Sequence, residues 1–313
     1  MRYTRLLILL LVCCLLTACA ASGSAAPTEK LRIVCTSFPC YDFARAVAGE
    51  AAEVRMLIRP GGEVHAYEPA PSDILDIAGC DLFVYIGGES DVWVDSILES
   101  FGADAPQTLR LFDCVEALEE ETLAEMTFHE SAEEEEETEY DEHIWTSPKN
   151  AVRMLYAIAE ALQAIKPDAA DTISANAEAY IAQIDDLDAQ IRTLVGSARR
   201  DTLVFADRFP LLYFVREYDL NYAAAFPSCS SESEPSAHTV AALIDRICAE
   251  DIPVVFRLEL SSGRVAESIA DETGAAVRTF YSVQNIAQED FERGETYVTL
   301  MQKNVEALKE ALN

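Results

Sequence analysis

From Leu31 onward short apolar runs alternate with helical segments, and this alternation, more than any other feature, constrains the fold. Leu31–Cys35, Glu53–Ile58 and Leu82–Ile86 read as strands, with Tyr41–Ala48, Pro71–Ala78 and Asp91–Phe101 as the helices between them. The scheme recurs near the C-terminus. Thr202–Ala206, Asn221–Phe226, Val254–Leu258 and Ala276–Phe280 are strand candidates, and Ser236–Glu250, Gly263–Thr273 and Tyr297–Leu312 are helix candidates. Such alternation predicts parallel sheets covered by helices, with ligands beyond the carboxyl ends of the strands. Between the halves, Ala170, Ile173, Ala177, Tyr180, Ile184, Leu187, Ile191 and Leu194 step by three and four along one helix face. The expected fold class is α/β: two similar lobes with parallel sheets, joined by a long connecting helix, with a site in the cleft between them. The boundaries read as 31–166 for the first lobe, 167–199 for the helix and 200–313 for the second lobe.

Charge narrows the partners. Asp and Glu number 55 against 23 Lys and Arg, a net charge of −32. Phosphate backbones need clustered basic residues, so nucleic acid is excluded as a partner and cations are favoured. Between Arg110 and Lys149 there is no Lys or Arg but fifteen acidic residues. This insertion, 113–142, includes Glu133, Glu134, Glu135, Glu136 and Glu137 in a row, with His129 nearby. It reads as a solvated loop that also gathers cations.

The N-terminus carries an address. Arg2 and Arg5 precede an apolar run from Leu6 to Ala18, too short to span a membrane comfortably and typical of a secretory signal. Leu16-Thr17-Ala18-Cys19 resembles the bacterial lipobox, which implies removal of residues 1–18 and lipidation of Cys19. Residues 19–30 then form a flexible tether. These features predict an exported protein, lipid-anchored to the outer face of the cytoplasmic membrane. Six cysteines follow the signal region: Cys35, Cys40, Cys80, Cys114, Cys229 and Cys248. None has CxxC spacing, so buried thiols or a disulfide are expected rather than a zinc cluster.

Of four histidines, two occupy informative loops. His65 follows the Gly61-Gly62 turn after strand 53–58, and His143 lies in Asp141-Glu142-His143-Ile144-Trp145 just before a Ser147-Pro148 helix start. Pro60-Gly61 through Asp73 resembles the "PG…H.YEPSPSD" stretch of the cluster A-I metal-binding proteins that feed zinc or manganese ABC importers. Residues 141–145 resemble their "DPHIW" stretch, with Glu142 in place of Pro. Phe209 to Leu220 and Gly294 to Leu308 are similar to two further stretches, in order and at proper spacing.

The resemblance implies that His65 and His143 are metal ligands from the first lobe. It places a His or Glu just before Phe209, where strict counting finds Arg208, which cannot ligate a cation. Asp207 is the chemically sensible substitute; its alternative role is to cap a helix at Phe209. The family's late carboxylate is missing from Tyr281-Ser282-Val283-Gln284-Asn285, which leaves Gln284, Tyr281, a water, a carboxylate from another loop or His238 to fill the position. The expected function is capture of Zn2+, with Mn2+ as the other cargo, by a monomer that delivers it to a membrane permease without chemistry. Competing readings are a binding protein for a siderophore or corrinoid, an exported zinc hydrolase, and an additional adhesin role. No HExxH motif supports hydrolysis.

Overall fold

A computed structural model describes residues 30–121, 139–227 and 235–313. Residues 1–29, most of the acidic insertion with His129 and Glu133–Glu137, and Cys229 lie outside them, as does Cys19.

The first half contains β1 (Leu31–Cys35), α1 (Phe38–Ala48), β2 (Ala52–Met56), α2 (Pro71–Ala78), β3 (Leu82–Tyr85), α3 (Trp93–Phe101), β4 (Gln107–Arg110) and α4 (Pro148–Ile165). After α5 (Ala170–Gly196) come β5 (Thr202–Arg208), α6 (Leu212–Tyr218), β6 (Asn221–Phe226), α7 (Ala237–Glu250), β7 (Val254–Leu258), α8 (Arg264–Thr273), β8 (Ala276–Phe280), α9 (Gln288–Glu292) and α10 (Tyr297–Leu312). Both sheets are parallel and four-stranded, in the orders β2-β1-β3-β4 and β6-β5-β7-β8. In each, the chain runs outward from the first strand and then returns to its other side. The crevice at that reversal, between β1 and β3 and again between β5 and β7, is where open parallel sheets receive ligands.

Strands covered on both faces read as near-continuous apolar runs, as β3 and the Thr202–Ala206 part of β5 do, whereas β2, β4 and β8 carry polar residues. Ile33, Cys35, Leu82 and Val84 join Phe205, Phe256 and Phe280 in one core shared by the two halves. The intervening residues face smaller outer clusters: Val34 and Phe83 under α2 and α3, and Val204 and Val255 under α7 and α8. In α5, a helix of about 40 Å at 1.5 Å per residue, Ile173, Ala177, Tyr180, Ile184, Leu187 and Ile191 are buried. No described helix is long and apolar enough to cross a membrane.

Two local readings differ from the sequence expectation. Strand β4 reads Gln-Thr-Leu-Arg, too short and polar to stand out, and exists because it pairs with β3. The helix expected at Phe209 begins at Leu212, because Pro210 disfavours helical backbone at Phe209, and Asp207 therefore sits in β5 and caps no helix. The five described cysteines are all free.

Asp42, fully buried on α1, ties three helices together. Its carboxylate accepts hydrogen bonds from the Tyr180 hydroxyl of α5 and from the backbone N–H of Tyr297, at 2.9 Å, which opens α10. Arg45 supplies the counter-charge at 2.9 Å. Asp42→Ala leaves these buried donors unpaired, and we expect a loss of about 3–5 kcal/mol in urea unfolding. A loss below about 1 kcal/mol, typical of a surface position, would show that the contact is incidental.

Candidate metal centre

His143 begins a 3-10 turn at Ile144–Thr146 and is fully buried. Asp141 Oδ1 accepts from the His143 backbone N–H at 2.8 Å and from ring Nδ1 at 3.1 Å. This pair assigns the proton to Nδ1 and directs the Nε2 lone pair away from Asp141. Nε2 is buried and has no hydrogen-bond partner. The turn itself is clamped: the Tyr213 hydroxyl donates to Asp141 O, Trp145 Nε1 donates to Ser282 O, and the Tyr297 hydroxyl donates to Trp145 O. Burial by itself pushes the His143 imidazole down, but the Asp141 carboxylate and its hydrogen bond, helped by Glu142, outweigh it and raise the pKa above its usual value.

His65 approaches from the loop after β2, its ring centroid 5.9 Å from that of His143. Its loop is pinned from the second half: Gly61 N donates to Ile286 O at 2.7 Å, and Asn285 Nδ2 donates to Arg59 O and Gly62 O. His65 Nδ1 lies 3.0 Å from Ser90 Oγ, and Ser90 in turn donates through both its hydroxyl and its backbone N–H to Glu142. The consistent proton arrangement runs from His65 Nδ1–H to Ser90 and on to Glu142, leaving His65 Nε2 as the acceptor for Gln284 Nε2 at 3.1 Å. Burial, and then the neighbouring His143, hold the His65 pKa below its usual value. Gly88 makes room for this packing, since a Cβ there would fall 2.2 Å from Glu142 Cβ.

His65, Glu142 and His143 can each offer one ligand atom, all within 4.8 Å of one another. Two imidazole nitrogens and a carboxylate oxygen suit zinc. Glu142 is the residue sequence reasoning missed as a donor. Its signal was an acidic side chain directly before a loop histidine, but the serine that orients it lies on a distant loop.

The other candidates are distributed differently. Gln284 reaches the group through His65. Asp207 lines the same cavity of about 270 Å³, but its oxygens accept from the backbone N–H groups of Arg208 and Leu258. Arg208 lines it too, with Glu63 at 3.8 Å. His238 is exposed in the first turn of α7 and does not belong to the group. Half-buried Glu259, beyond β7, accepts from Ser282 and from the N–H of Val283, whose φ of 61° is rare for a β-branched residue. Glu259 thereby shapes the turn that carries Gln284.

The profile of the ZnuA family, described as the periplasmic zinc-uptake complex component A, matches residues 33–311. The chain belongs to the ZnuA family. It is 30% identical over 293 residues to the zinc-binding lipoprotein AdcA of Streptococcus pneumoniae, an alignment covering 93% of this chain and 58% of that protein. It thus spans little more than half the length of that relative. Against the high-affinity zinc uptake system protein ZnuA of Bacillus subtilis it is 29% identical over 297 residues, covering 94% of this chain and 91% of the relative. The Zn(II)-bound ZnuA-like domain of S. pneumoniae AdcA superposes with a TM-score of 0.76 at 28% identity, covering 91% of this chain and 99% of that domain. The metal-dependent lipoprotein YcdH of B. subtilis gives 0.77 at 28% identity, covering 91% and 100%. In this ZnuA-family chain the α/β architecture of paired parallel sheets and a long helix is the expected one.

Near the site, Asp91 is 5% exposed and accepts from the Ile86 and Gly87 N–H groups, which set the loop that carries Ser90. Burial pushes its pKa up to about 6 from the usual 3.8. The native state therefore takes up a proton that the unfolded chain lacks as pH falls from about 6 towards 4. This group's contribution to stability improves in that window, by about 3 kcal/mol at most. Urea unfolding of metal-free protein at pH 7.5 and 4.5 should show wild type gaining relative to Asp91→Asn as pH falls; a pH-independent difference would contradict this.

Proposed function

We propose that this chain is an extracytoplasmic binding protein that captures zinc in the cleft and passes it to an ABC importer permease. The observation that carries the reading is the His65–Glu142–His143 group, with a buried and unpartnered His143 Nε2 at its centre. A buried nitrogen lone pair without a donor is costly, and a divalent cation is the partner that satisfies it while also using a neighbouring imidazole and carboxylate. The family and its relatives' names, which are those of uptake and binding proteins, support capture rather than catalysis.

His65, Glu142 and His143 are the proposed ligands, and Gln284 is a fourth neighbour whose amide can turn its oxygen towards the ion. Asp207 and His238 are not in this first set. Zinc is the favoured cargo because two imidazoles with one carboxylate form a borderline-soft donor set; manganese prefers more oxygen donors. Export through residues 1–18, a lipid anchor at Cys19, cation gathering by the acidic insertion and a monomeric state complete the proposal. The many bonds that cross the cleft support capture with modest rather than wide movement of the two halves.

Metal-stripped protein reloaded in a zinc–manganese competition should hold about one zinc per chain by elemental analysis, and His65→Ala with His143→Ala should abolish it while the fold is retained. Stoichiometric zinc in the double variant would overturn the assignment. Asp141→Ala leaves the donors in place but frees the ring, and should weaken zinc binding about 10–100-fold, read by competition with a chromogenic chelator.

A further inference from the structure

The two edges of the acidic insertion meet beside the metal site. Glu119 and Tyr140 face each other as an antiparallel bridge. Hydrogen bonds from Asp141 N to Leu118 O and from Glu120 N to Glu139 O, both 2.9 Å, flank it. In a regular antiparallel ladder Leu118 and Asp141 would exchange a second bond, from Leu118 N–H to Asp141 O. The Tyr213 hydroxyl stands in its place, accepting from Leu118 N at 3.0 Å and donating to Asp141 O at 2.9 Å. Tyr213 is 4% exposed and belongs to α6 of the second half. One turn later on that helix Arg216 pairs with Glu121, whose carboxylate also lies 3.5 Å from the Tyr222 hydroxyl. The second half thus grips this short ribbon at two points.

Asp141 is the element that ribbon and site share. Its N–H and C=O belong to the ribbon, and its Oδ1 holds both the backbone and the ring of His143. It is 1% exposed, so water cannot replace a lost partner unless the residue moves. Any such movement turns the imidazole with it. We infer, on the basis of the zinc-capture reading, that Tyr213 is a positioning residue for the metal site, its hydroxyl coupling the closed ribbon at the root of the acidic insertion to the orientation of His143. Coupling of this kind is reciprocal. The closed ribbon tightens zinc binding, and bound zinc, by fixing His143 and with it Asp141, holds the ribbon closed. Occupancy of the buried site is thereby expressed at exposed Glu119.

Tyr213→Phe keeps the ring and removes only the bridging hydroxyl. Zinc affinity, read by chelator competition, should fall about 5–10-fold, the worth of one hydrogen bond. In an Asp141→Ala background the same substitution should change affinity by a factor of about one, because the route to His143 is already cut. Tyr180→Phe, which removes a hydrogen bond at the Asp42 junction instead, should leave zinc affinity within about twofold of wild type. In wild type, amide exchange at short labelling times reports local opening, and at Leu118 and Glu120 it should slow about fivefold or more on zinc loading, by the same reciprocity. At saturating zinc Tyr213→Phe should lose most of that slowing. Unchanged zinc affinity in Tyr213→Phe, an equal loss in the Asp141→Ala background, a matching loss in Tyr180→Phe, or exchange at Leu118 and Glu120 that ignores zinc would each overturn the inference. Wild type that binds no zinc would instead overturn the metal-capture reading on which it rests.

Discussion

A buried imidazole with one nitrogen left unpartnered costs about 1–3 kcal/mol, and much of the molecule serves to hold His143 in that condition. Asp141 fixes its tautomer and ring angle. The Asp141 carbonyl is held by Tyr213 of α6, the Trp145 indole by the Ser282 carbonyl, and the Trp145 carbonyl by Tyr297 of α10. Each of these partners comes from the second half, although the imidazole belongs to the first. Relaxation that would let Nε2 find a partner would break several of these bonds at once.

The two halves share a strand order but not a task. At the switch point of the first sheet stand the donors: His65 after β2, Ser90 after β3, and the 141–143 turn. The corresponding loops of the second sheet supply frame and charge. Asn285 and Ile286 pin the His65 loop, Glu259 sets the turn before Gln284, and β5 ends in Asp207 and Arg208. The shared apolar core and the Asp42 junction of α1, α5 and α10 keep the halves in register, so that bonds of about 3 Å can form across the cleft.

Electrostatics acts on two scales. At long range the net charge of −32 raises the local concentration of cations around the molecule. Inside the cleft Glu63, Asp207 and Glu259 line the cavity together with Arg208, so carboxylates predominate there too. The surface attracts divalent ions without distinction, while the interior brings one carboxylate and two imidazoles within 4.8 Å of one another.

Much of this was legible in the chain. The strands Leu31–Cys35, Asn221–Phe226, Val254–Leu258 and Ala276–Phe280 and the face of α5 follow from apolar periodicity, which reflects local burial. His65 and His143 stood out because each occupies a loop beside a strand end or helix start. Strand β4 did not, since its four residues are ordered by pairing with β3 rather than by their own pattern. Glu142 was visible only as a departure beside a histidine. Its position in the site depends on Ser90 and on the space at Gly88, neither of which is near it in sequence. By itself, then, the sequence determined the α/β architecture, the acidic charge and the two histidine loops, because those properties depend on neighbours a few residues apart. Only the tertiary structure decided that His65, Glu142 and His143 converge, that Asp207 is occupied by backbone donors and that Arg208 lines the cavity, because these depend on side-chain directions and partners set by packing between distant segments.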